Sequence, residues 1–209
     1  LAVAMLVACV RRLFCGDRFV RNGRWLRPDA PYGITPPLGG RRLGIYGLGD
    51  IGGRIATRAA AFEMEVGYHG RAPKPGAAWP YFPTLLSLAE WADDLVVAAS
   101  ATPQTAGSVD GRVLAALGPC GYLVNVARGS LVDEDALVAA LRSSAIAGAG
   151  LDTFANEPAI RRAFLDFDNV VLSPHAAAGT SRAMHDTTEI FLANLERYLS
   201  GQEPRNVVR

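Results

Sequence analysis

Residues 43–52 read LGIYGLGDIG, and this stretch decides the fold of the chain. Its first four residues predict a short buried strand, and a G-x-G-x-x-G pattern then leads into a helix predicted over 51–62. In such a turn Gly47 permits the tight bend, Gly49 lets a pyrophosphate approach the backbone, and Gly52 allows the helix to pack closely. Exposed N–H groups and the positive end of the helix dipole then face the phosphates. The stretch therefore predicts a dinucleotide-binding α/β fold.

Short β-rich apolar segments alternate with helical segments along the chain after residue 40. Strands that are apolar on both faces and separated by helices are typical of βαβ units and of a parallel sheet covered on both sides. The pattern predicts an α/β fold with a doubly wound, parallel, six-stranded Rossmann sheet. Strands are predicted over 43–46, 66–69, 95–99, 122–126, 147–151 and 170–172, and helices over 1–10, 51–62, 85–91, 111–117, 134–142 and 180–199.

The composition excludes several classes of protein. Half of the 209 residues are apolar and 20% are charged, and a compact chain of this length buries about 70% of its unfolded surface. Disordered, collagen-like and disulfide-scaffold proteins are therefore excluded. The formal net charge of +1 provides no field that would attract nucleic acid or an anionic membrane, and the opening apolar run is too short to cross a bilayer.

The three cysteines, Cys9, Cys15 and Cys120, are odd in number and lack the spacing of metal ligands. Free thiols in a reducing compartment fit this usage best, so we expect a cytoplasmic protein without a metal site. A local excess of arginine over residues 11–42 is interpreted as a solvated linker or a subunit contact, with an anion-attracting rim as the alternative. The glycines and prolines of residues 21–40 indicate a loop-rich connection.

The end of the second predicted strand, 66–69, indicates which dinucleotide is bound. An NAD site usually has a carboxylate at the carboxyl end of this strand, where it holds the ribose hydroxyls. Here Arg71 and Lys74 follow the strand, and Glu65 lies at its opposite end. A cation in this place suits the 2′-phosphate of NADP, which Arg can bind through two parallel hydrogen bonds. We therefore expect a preference for NADP(H); the alternative is that Arg71 is a solvated loop residue and NAD(H) is used as well.

Three further segments follow predicted strands at their carboxyl ends, the edge where open α/β sheets bind ligands. They read NVARG at 125–129, LDTFANEP at 151–158 and SPHA at 173–176. Together with the glycine loop, and with VRNGRW at 20–25, they resemble the D-isomer-specific 2-hydroxyacid dehydrogenase family over essentially the whole chain. The resemblance is specific because four motifs occur in the order of the family and at similar spacing.

The resemblance implies roles for three residues. His175 would be the general acid that protonates the carbonyl oxygen of a 2-oxo acid, and Glu157 would orient its ring and favour the imidazolium form. Arg128 would bind the carboxylate and the carbonyl oxygen of the substrate. Hydride delivery to a carbonyl develops negative charge on its oxygen, so a cation and a proton donor at these strand ends suit the reaction.

Other residues are expected to line the cofactor. Thr102 and Thr105 match a family loop beside the cofactor, with ordinary turn chemistry as the alternative. Asp152 matches a family position near the nicotinamide, with a plain strand-end acid as the alternative. His69 either touches the adenosine end or is a plain strand-end histidine, and His185 is interpreted as a helix residue. The full set of predicted cofactor contacts is Gly47, Gly49, Asp50, Ile51, Gly52, Arg71, Thr102, Thr105, Val126, Asp152 and Gly179.

Within the family, the expected branch is the glyoxylate/hydroxypyruvate reductase group, which favours NADPH. Glu157 separates the chain from the formate dehydrogenase branch, which has glutamine there, and Arg71 separates it from the NAD-using phosphoglycerate and D-lactate branches. The resemblance implies a homodimer that transfers hydride from NAD(P)H to a small 2-oxo acid and forms a D-2-hydroxy acid. The alternatives are a dinucleotide sensor without catalysis, like the corepressor relatives, or a truncated binding protein.

The resemblance also implies a division of the chain. Residues 1–20 are expected to form the crossover helix and a remnant of a smaller substrate domain. Residues 21–180 are expected to form the dinucleotide-binding domain, and 181–209 a helix that returns to the substrate domain. Family members begin with roughly half of the substrate domain, so the backbone loop that clamps the substrate carboxylate is expected to be missing from this sequence.

Overall fold

The computed structural model describes residues 1–27, 29 and 31–207. The chain divides into two compact units, Leu1–Pro174 and His175–Arg209, and each unit is described by itself. Pro28, Ala30, Val208 and Arg209 are outside the described residues, so the domain ranges predicted from the sequence are not followed at these four positions.

A parallel sheet forms the centre of the first unit. Among the described residues the sheet has seven strands. They are Arg42–Tyr46 (β1), Glu65–His69 (β2), Tyr81–Phe82 (β3), Asp94–Val97 (β4), Tyr122–Asn125 (β5), Gly148–Leu151 (β6) and Val170–Leu172 (β7). Their order is β3-β2-β1-β4-β5-β6-β7, and Leu43 of β1 pairs with Val66 on one side and Asp94 on the other. The chain winds outward from β1 in one direction and then in the other, so the predicted doubly wound α/β fold is confirmed.

The prediction of six strands was wrong by one, because β3 has only two residues. Tyr81 pairs with Tyr68 and Phe82 pairs with His69, along the outer edge of β2. A strand this short produces no apolar alternation that a sequence pattern could reveal. Tertiary packing holds it in place, since the ring centroids of Phe82 and Trp91 lie 5.1 Å apart.

Helices connect the strands, and several of them begin with a side-chain cap. Those found among the described residues are Ala2–Val10 (α1), Leu13–Arg21 (α2), Asp50–Ala60 (α3), Leu85–Trp91 (α4), Gly111–Leu117 (α5), Glu134–Arg142 (α6) and Ser181–Leu199 (α7). The bounds of α4, α5 and α6 agree with the predicted ranges. Side chains of Thr84, Asp110 and Asp133 accept backbone N–H groups at the starts of these three helices, which satisfies donors that a helix leaves unpaired in its first turn.

The helices cover both faces of the sheet and bury its apolar side chains. On one face α4, α5 and α6 pack through Leu88, Leu114 and Leu137, each of them fully buried. On the other face α1 and α3 pack through Leu6 and Ile55. Burying side chains of this size stabilises the fold by roughly 1.5–3 kcal/mol each, so these contacts hold the helices against the sheet.

Two ion pairs lie at the amino edge of the sheet, where β1 and β4 begin. Arg41 donates to both carboxylate oxygens of Asp94, at 2.6 and 2.8 Å, and Arg42 pairs with Asp93 at 3.0 Å. The Asp94 side chain is fully buried, and this burial raises the pKa of its carboxyl group above the ordinary value. Removing one partner of such a pair leaves a buried charge without compensation, so Arg41 holds the amino edge together.

The first helix lies against the sheet. It contacts β5 and β6, and a Cβ on Gly150 of β6 would lie only 3.2 Å from the Sγ of Cys9. Burial raises the pKa of the Cys9 thiol to about 12, which keeps it protonated, and the three cysteines are free, as predicted.

Helix α1 ends at Val10, and Arg12, with a φ of +50°, separates it from α2. The assignment of residues 1–20 to a second domain stays a prediction.

The second unit is built around α7. Thr180 caps this helix by accepting the N–H of Ala183 at 3.1 Å, and Arg182 pairs with Asp186 one turn further on. The helix exposes several apolar side chains, namely Ile190, Leu192, Leu195 and Leu199. Across the part of the chain that the structure describes, no helix combines the length and the apolar character needed to span a membrane.

Candidate active site at the carboxyl edge of the sheet

The glycine loop joins β1 to α3, and close approach requires two of its glycines. Gly47 has a φ of +99°, and a Cβ at this position would lie 2.5 Å from the Cα of Ala99, beyond the end of β4. A Cβ on Gly52 would lie 2.0 Å from the carbonyl oxygen of Gly47. Both distances are well below van der Waals contact. Only glycine therefore lets the loop lie against its neighbours here.

Gly49 faces open space instead of neighbouring atoms. No atom of the described residues lies within 4 Å of a Cβ built at this position, and its φ of −83° is open to any residue. Gly49 precedes the first turn of α3, which has no side-chain cap, and the side chains of Asp50 and Ile51 are exposed. Uncapped N–H donors at the positive end of a helix, beside open space, fit the pyrophosphate of a dinucleotide.

Basic residues follow β2 at the same edge of the sheet. Arg71 and Lys74 are both exposed, and among the described residues the guanidinium of Arg71 makes no hydrogen bond or ion pair. The backbone N–H of Lys74 donates to the hydroxyl of Tyr68 at 2.7 Å, which anchors the turn that carries both cations. Glu65 is the first residue of β2 and lies at its opposite end. The turn thus offers cations and no carboxylate from β2.

His69, at the end of β2, interacts with the sheet itself. Its Nδ1 lies 2.9 Å from the carbonyl oxygen of Phe82. Its ring stacks on that of Tyr46, with the centroids 5.6 Å apart. These contacts join the ends of β1, β2 and β3, so they agree with the interpretation of His69 as a strand-end histidine.

The loop that follows β4 is organised by Thr105. Its hydroxyl oxygen accepts the N–H of Thr102 at 2.8 Å and lies 3.0 Å from the carbonyl oxygen of Ser100. Thr105 therefore supplies turn chemistry, whereas the side chain of Thr102 is exposed on the loop surface.

Asn125 fixes the turn that carries Arg128 after β5. Its buried amide donates from Nδ2 to the carbonyl oxygen of Arg128 at 3.0 Å, and its Oδ1 accepts the N–H of Ala127 at 3.1 Å. Val126, between them, is half-buried. The Arg128 side chain is exposed, donates to the carbonyl oxygen of Ala127 at 2.7 Å, and has no carboxylate partner among the described residues. Arg128 is thus a positioned cation that an anion can approach.

Residues 152–161, here called the acid loop, follow β6 and carry Glu157. A Cβ on Gly129 would lie 1.9 Å from the carbonyl carbon of Phe154, so the Arg128 turn and the acid loop are in direct backbone contact. Asp152 is fully buried, and its N–H donates to the carbonyl oxygen of Asn125 at 3.0 Å. Glu157 accepts the N–H of Phe154 at 2.8 Å through Oε1.

The next residue, Thr153, is also buried. Within the described part of the chain its hydroxyl has no hydrogen-bond partner. A buried hydroxyl without a partner is costly, so a bound molecule or an ordered water is expected to satisfy it. This hydroxyl lies next to Asp152, after a strand at the edge where open α/β sheets bind ligands, and it agrees with a ligand site there.

Three residues singled out from the sequence belong to the second unit. His175 follows Pro174 and has a φ of +53°, a backbone conformation in which histidine is more frequent than most other residues. Gly179 donates its N–H to the carbonyl oxygen of Ala176 at 3.0 Å. His185 lies within α7.

The first unit thus gathers most of the predicted site residues at one edge of the sheet. Two residues that hold this edge in place were not among them, namely Asn125 and Glu134. Glu134 is 7% exposed and accepts the N–H of Ala155 at 2.8 Å. An asparagine directly before the Arg-Gly pair was a usable signal for Asn125, whereas nothing in the local sequence around Glu134 points to a residue 21 positions away. In the described residues, no three His, Cys, Asp or Glu side chains are grouped as a metal site would require.

A doubly wound sheet, a glycine loop suited to phosphate and charged residues on the neighbouring strand ends are the features of a dinucleotide-binding domain. Residues 3–177 match the model of the D-isomer specific 2-hydroxyacid dehydrogenase family, NAD binding domain. The chain belongs to this family.

Curated and solved relatives agree with the family. Glyoxylate/hydroxypyruvate reductase A of Arabidopsis thaliana is 41% identical over 202 residues, which cover 97% of this chain and 64% of the relative. For 2-ketogluconate reductase of Gluconobacter oxydans the identity is 42%, over 96% of this chain and 64% of the relative. The chain is also similar to a crystal structure of the NADPH-dependent glyoxylate/hydroxypyruvate reductase of Sinorhizobium meliloti with NADP and malonate, with a TM-score of 0.88 and 43% identity over 95% of this chain and 62% of that one. The chain thus spans about 64% of the length of the curated relatives.

Proposed function

We propose that the natural protein reduces a small 2-oxo acid of the glyoxylate or hydroxypyruvate type to a D-2-hydroxy acid. The observation that carries this proposal is Arg128, a cation held by Asn125 at the carboxyl edge without a carboxylate partner among the described residues. It is in backbone contact, through Gly129, with the loop that bears Glu157. A cation in that place suits the carboxylate and the carbonyl oxygen of a 2-oxo acid.

In this proposal each charged side chain has one task. Arg128 binds the substrate carboxylate and orients the carbonyl, His175 donates a proton to the carbonyl oxygen, and Glu157 supports the protonated imidazole. A bound nicotinamide dinucleotide supplies the hydride. Asp152, Val126, Thr102 and Gly179 are proposed to contact the cofactor, as the family resemblance implies.

The proposed cofactor is NADPH in preference to NADH. Arg71 and Lys74 are exposed directly after β2, and Glu65, the acid of that strand, is at its far end. The reductase of Sinorhizobium meliloti is named as NADPH-dependent and was crystallised with NADP, which supports the preference. A 2′-phosphate gives Arg71 the anion that it lacks among the described residues.

The reaction is tested by initial rates of the natural protein with NADPH and either glyoxylate or hydroxypyruvate. We expect oxidation of NADPH at 340 nm in step with formation of the D-2-hydroxy acid, and for Arg128→Gln a KM for the 2-oxo acid at least about tenfold higher, from the loss of a charge-assisted hydrogen bond. Tight NADPH binding without turnover of any 2-oxo acid would instead support the dinucleotide sensor. The relatives described above are all named reductases, which favours the enzyme.

We also propose that the natural protein is a cytoplasmic homodimer. The exposed apolar side chains on α7, Ile190, Leu192 and Leu195 among them, are suited to association with a further surface. Light scattering at micromolar concentration is expected to give twice the mass of one chain, and a monomeric mass would contradict the dimer. Localisation of a fluorescent fusion tests the compartment.

A further inference from the structure

The acid loop has no helix or strand of its own, although it carries Glu157. Regular structure ends at Leu151 and resumes with a 3-10 helix at Arg162–Asp166. A loop of this length places a side chain accurately only if its backbone is tied to a rigid element.

The first contacts come from carboxylates that accept backbone N–H groups. Glu157 itself accepts the N–H of Phe154 at 2.8 Å, which closes the loop locally. The next N–H along the chain, that of Ala155, donates to Oε1 of Glu134 at 2.8 Å. Glu134 is the first residue of α6 and lies outside the loop, so its bond ties the loop to a rigid element.

The same carboxylate also holds the far end of the acid loop. The second oxygen of Glu134, Oε2, accepts Nε of Arg161 at 3.0 Å, and Arg161 is the last residue of the loop. The remaining guanidinium nitrogens of Arg161 donate to the carboxylate of Asp135. One side chain, only 7% exposed, therefore joins an inner residue of the loop, Ala155, to its last residue, Arg161. The positive end of α6 compensates the charge of this carboxylate.

This anchor also connects the acid loop to the Arg128 turn. The 3-10 turn Gly129–Leu131 is followed, after Val132 and the cap residue Asp133, by α6. Gly129 and Phe154 are in backbone contact. A shift of the loop away from Glu134 would therefore move Glu157 relative to Arg128.

We propose that Glu134 is a positioning residue for the reaction. Through its hydrogen bonds to Ala155 and Arg161 it keeps Glu157 at a fixed position relative to Arg128. The proposal rests on the proposed 2-oxo acid reduction. Glu134 touches neither substrate nor cofactor, and it acts only through the acid loop.

The test measures kcat and KM of the natural protein with NADPH and hydroxypyruvate. We expect Glu134→Ala to lower kcat about tenfold, because the loop loses both anchors, while KM for NADPH stays within twofold, since the glycine loop is untouched. Glu134→Gln keeps an oxygen for the Ala155 N–H and is expected to restore kcat to within about threefold of wild type. The matched control is Asp135→Asn, which contacts the same Arg161 but no backbone of the loop, and its kcat is expected to stay within about twofold of wild type.

Some results would overturn the proposal. A wild-type kcat in Glu134→Ala would do so, and so would an equal rise in KM for NADPH, which would indicate general loosening of the domain. If Glu134→Ala does not fold, Glu134→Asp replaces it, because the shorter side chain withdraws the oxygen from Ala155 and still suits a helix start. The same fall in kcat is expected, and a wild-type value rejects the role. An inactive wild-type protein would reject the proposed function instead, so the two failures are distinct.

Discussion

The two edges of the sheet use charged residues in opposite ways. At the amino edge, Arg41 and Arg42 are each paired with an aspartate, at 2.6 and 3.0 Å. At the carboxyl edge, Arg71 and Arg128 have no carboxylate partner among the described residues. The same residue type therefore closes one edge of the sheet and leaves cations available at the other.

The carboxylates differ in the same way. At the amino edge Asp94 accepts its hydrogen bonds from a guanidinium. At the carboxyl edge, Glu157 and Glu134 accept backbone N–H groups of the acid loop. Glu134 also pairs with Arg161, so the arginines left without a carboxylate partner among the described residues of this edge include Arg71 and Arg128 but not Arg161. The amino edge thus uses its arginines in ion pairs, and the carboxyl edge leaves two arginines available for the anionic ligands proposed above.

The largest expected effect comes from breaking the buried pair at the amino edge. Arg41→Met should lower the free energy of unfolding by about 3–5 kcal/mol, because Asp94 would remain buried without a partner. Burial raises the pKa of Asp94, so the folded state takes up its proton more readily than the unfolded state. The loss in the variant should therefore be larger at pH 8 than at pH 5.

Urea denaturation followed by circular dichroism at both pH values measures this loss. Arg42→Met is the matched control, since the pair of Arg42 and Asp93 is 41% and 33% exposed and is worth about 0–1 kcal/mol. Equal losses of unfolding free energy in the two variants would show that the buried pair contributes no more to stability than the exposed pair.

The second effect concerns the proposed proton donor. His175→Ala in the natural protein should lower kcat for hydroxypyruvate reduction by about 100-fold or more, the lower range for general acid catalysis. NADPH affinity and the urea midpoint should stay close to wild type, because His175 is exposed and lies outside the first unit. Near-normal turnover in this variant removes His175 from the mechanism.

The third effect concerns Gly49, where a substitution should change NADPH affinity without changing the free energy of unfolding. A methyl group on Gly49 meets no atom of the described residues, so Gly49→Ala should leave the free energy of unfolding within about 0.5 kcal/mol of wild type. The same methyl group would stand where the pyrophosphate approaches the backbone, and NADPH affinity should fall at least about tenfold.

Gly53→Ala is the control for this variant, because position 53 is equally open and lies four residues further along, within α3. It should bind NADPH normally and be as stable as wild type or slightly more stable. Fluorescence titration with NADPH decides the comparison, and unchanged binding by Gly49→Ala would mean that the dinucleotide does not cross the glycine loop.

Much of the first unit could be predicted because local pattern and fold agree there. The glycine loop, six of the strands and the ranges of α4, α5 and α6 follow from apolar periodicity and turn chemistry. The missing strand, Tyr81–Phe82, is held by tertiary contacts, which include its pairing with β2 and the Trp91 ring. The break at Arg12 depends on a left-handed residue with no glycine to mark it.

The candidate site shows the same limit. Arg128 and Glu157 carry motif signals because they stand in the loops that follow β5 and β6. Glu134 reads as an ordinary helix-start acid, and its bond to Ala155 exists only once α6 and the acid loop have packed together. Contacts between segments distant in sequence leave no local pattern, so positioning residues are the ones that sequence analysis misses.

The smallest expected effect tests the contrast between the two edges most directly. NADPH and NADH are titrated, at the same low salt, against wild type, Arg71→Ala and Arg42→Ala. A charge-assisted hydrogen bond is worth about 1.5–3 kcal/mol, so Arg71→Ala should lose roughly tenfold or more in NADPH affinity and little in NADH affinity, whereas Arg42→Ala should bind both as wild type does. Equal affinities of wild type for NADPH and NADH, or equal losses in the two variants, would contradict the assignment of the carboxyl-edge cations to an anionic cofactor.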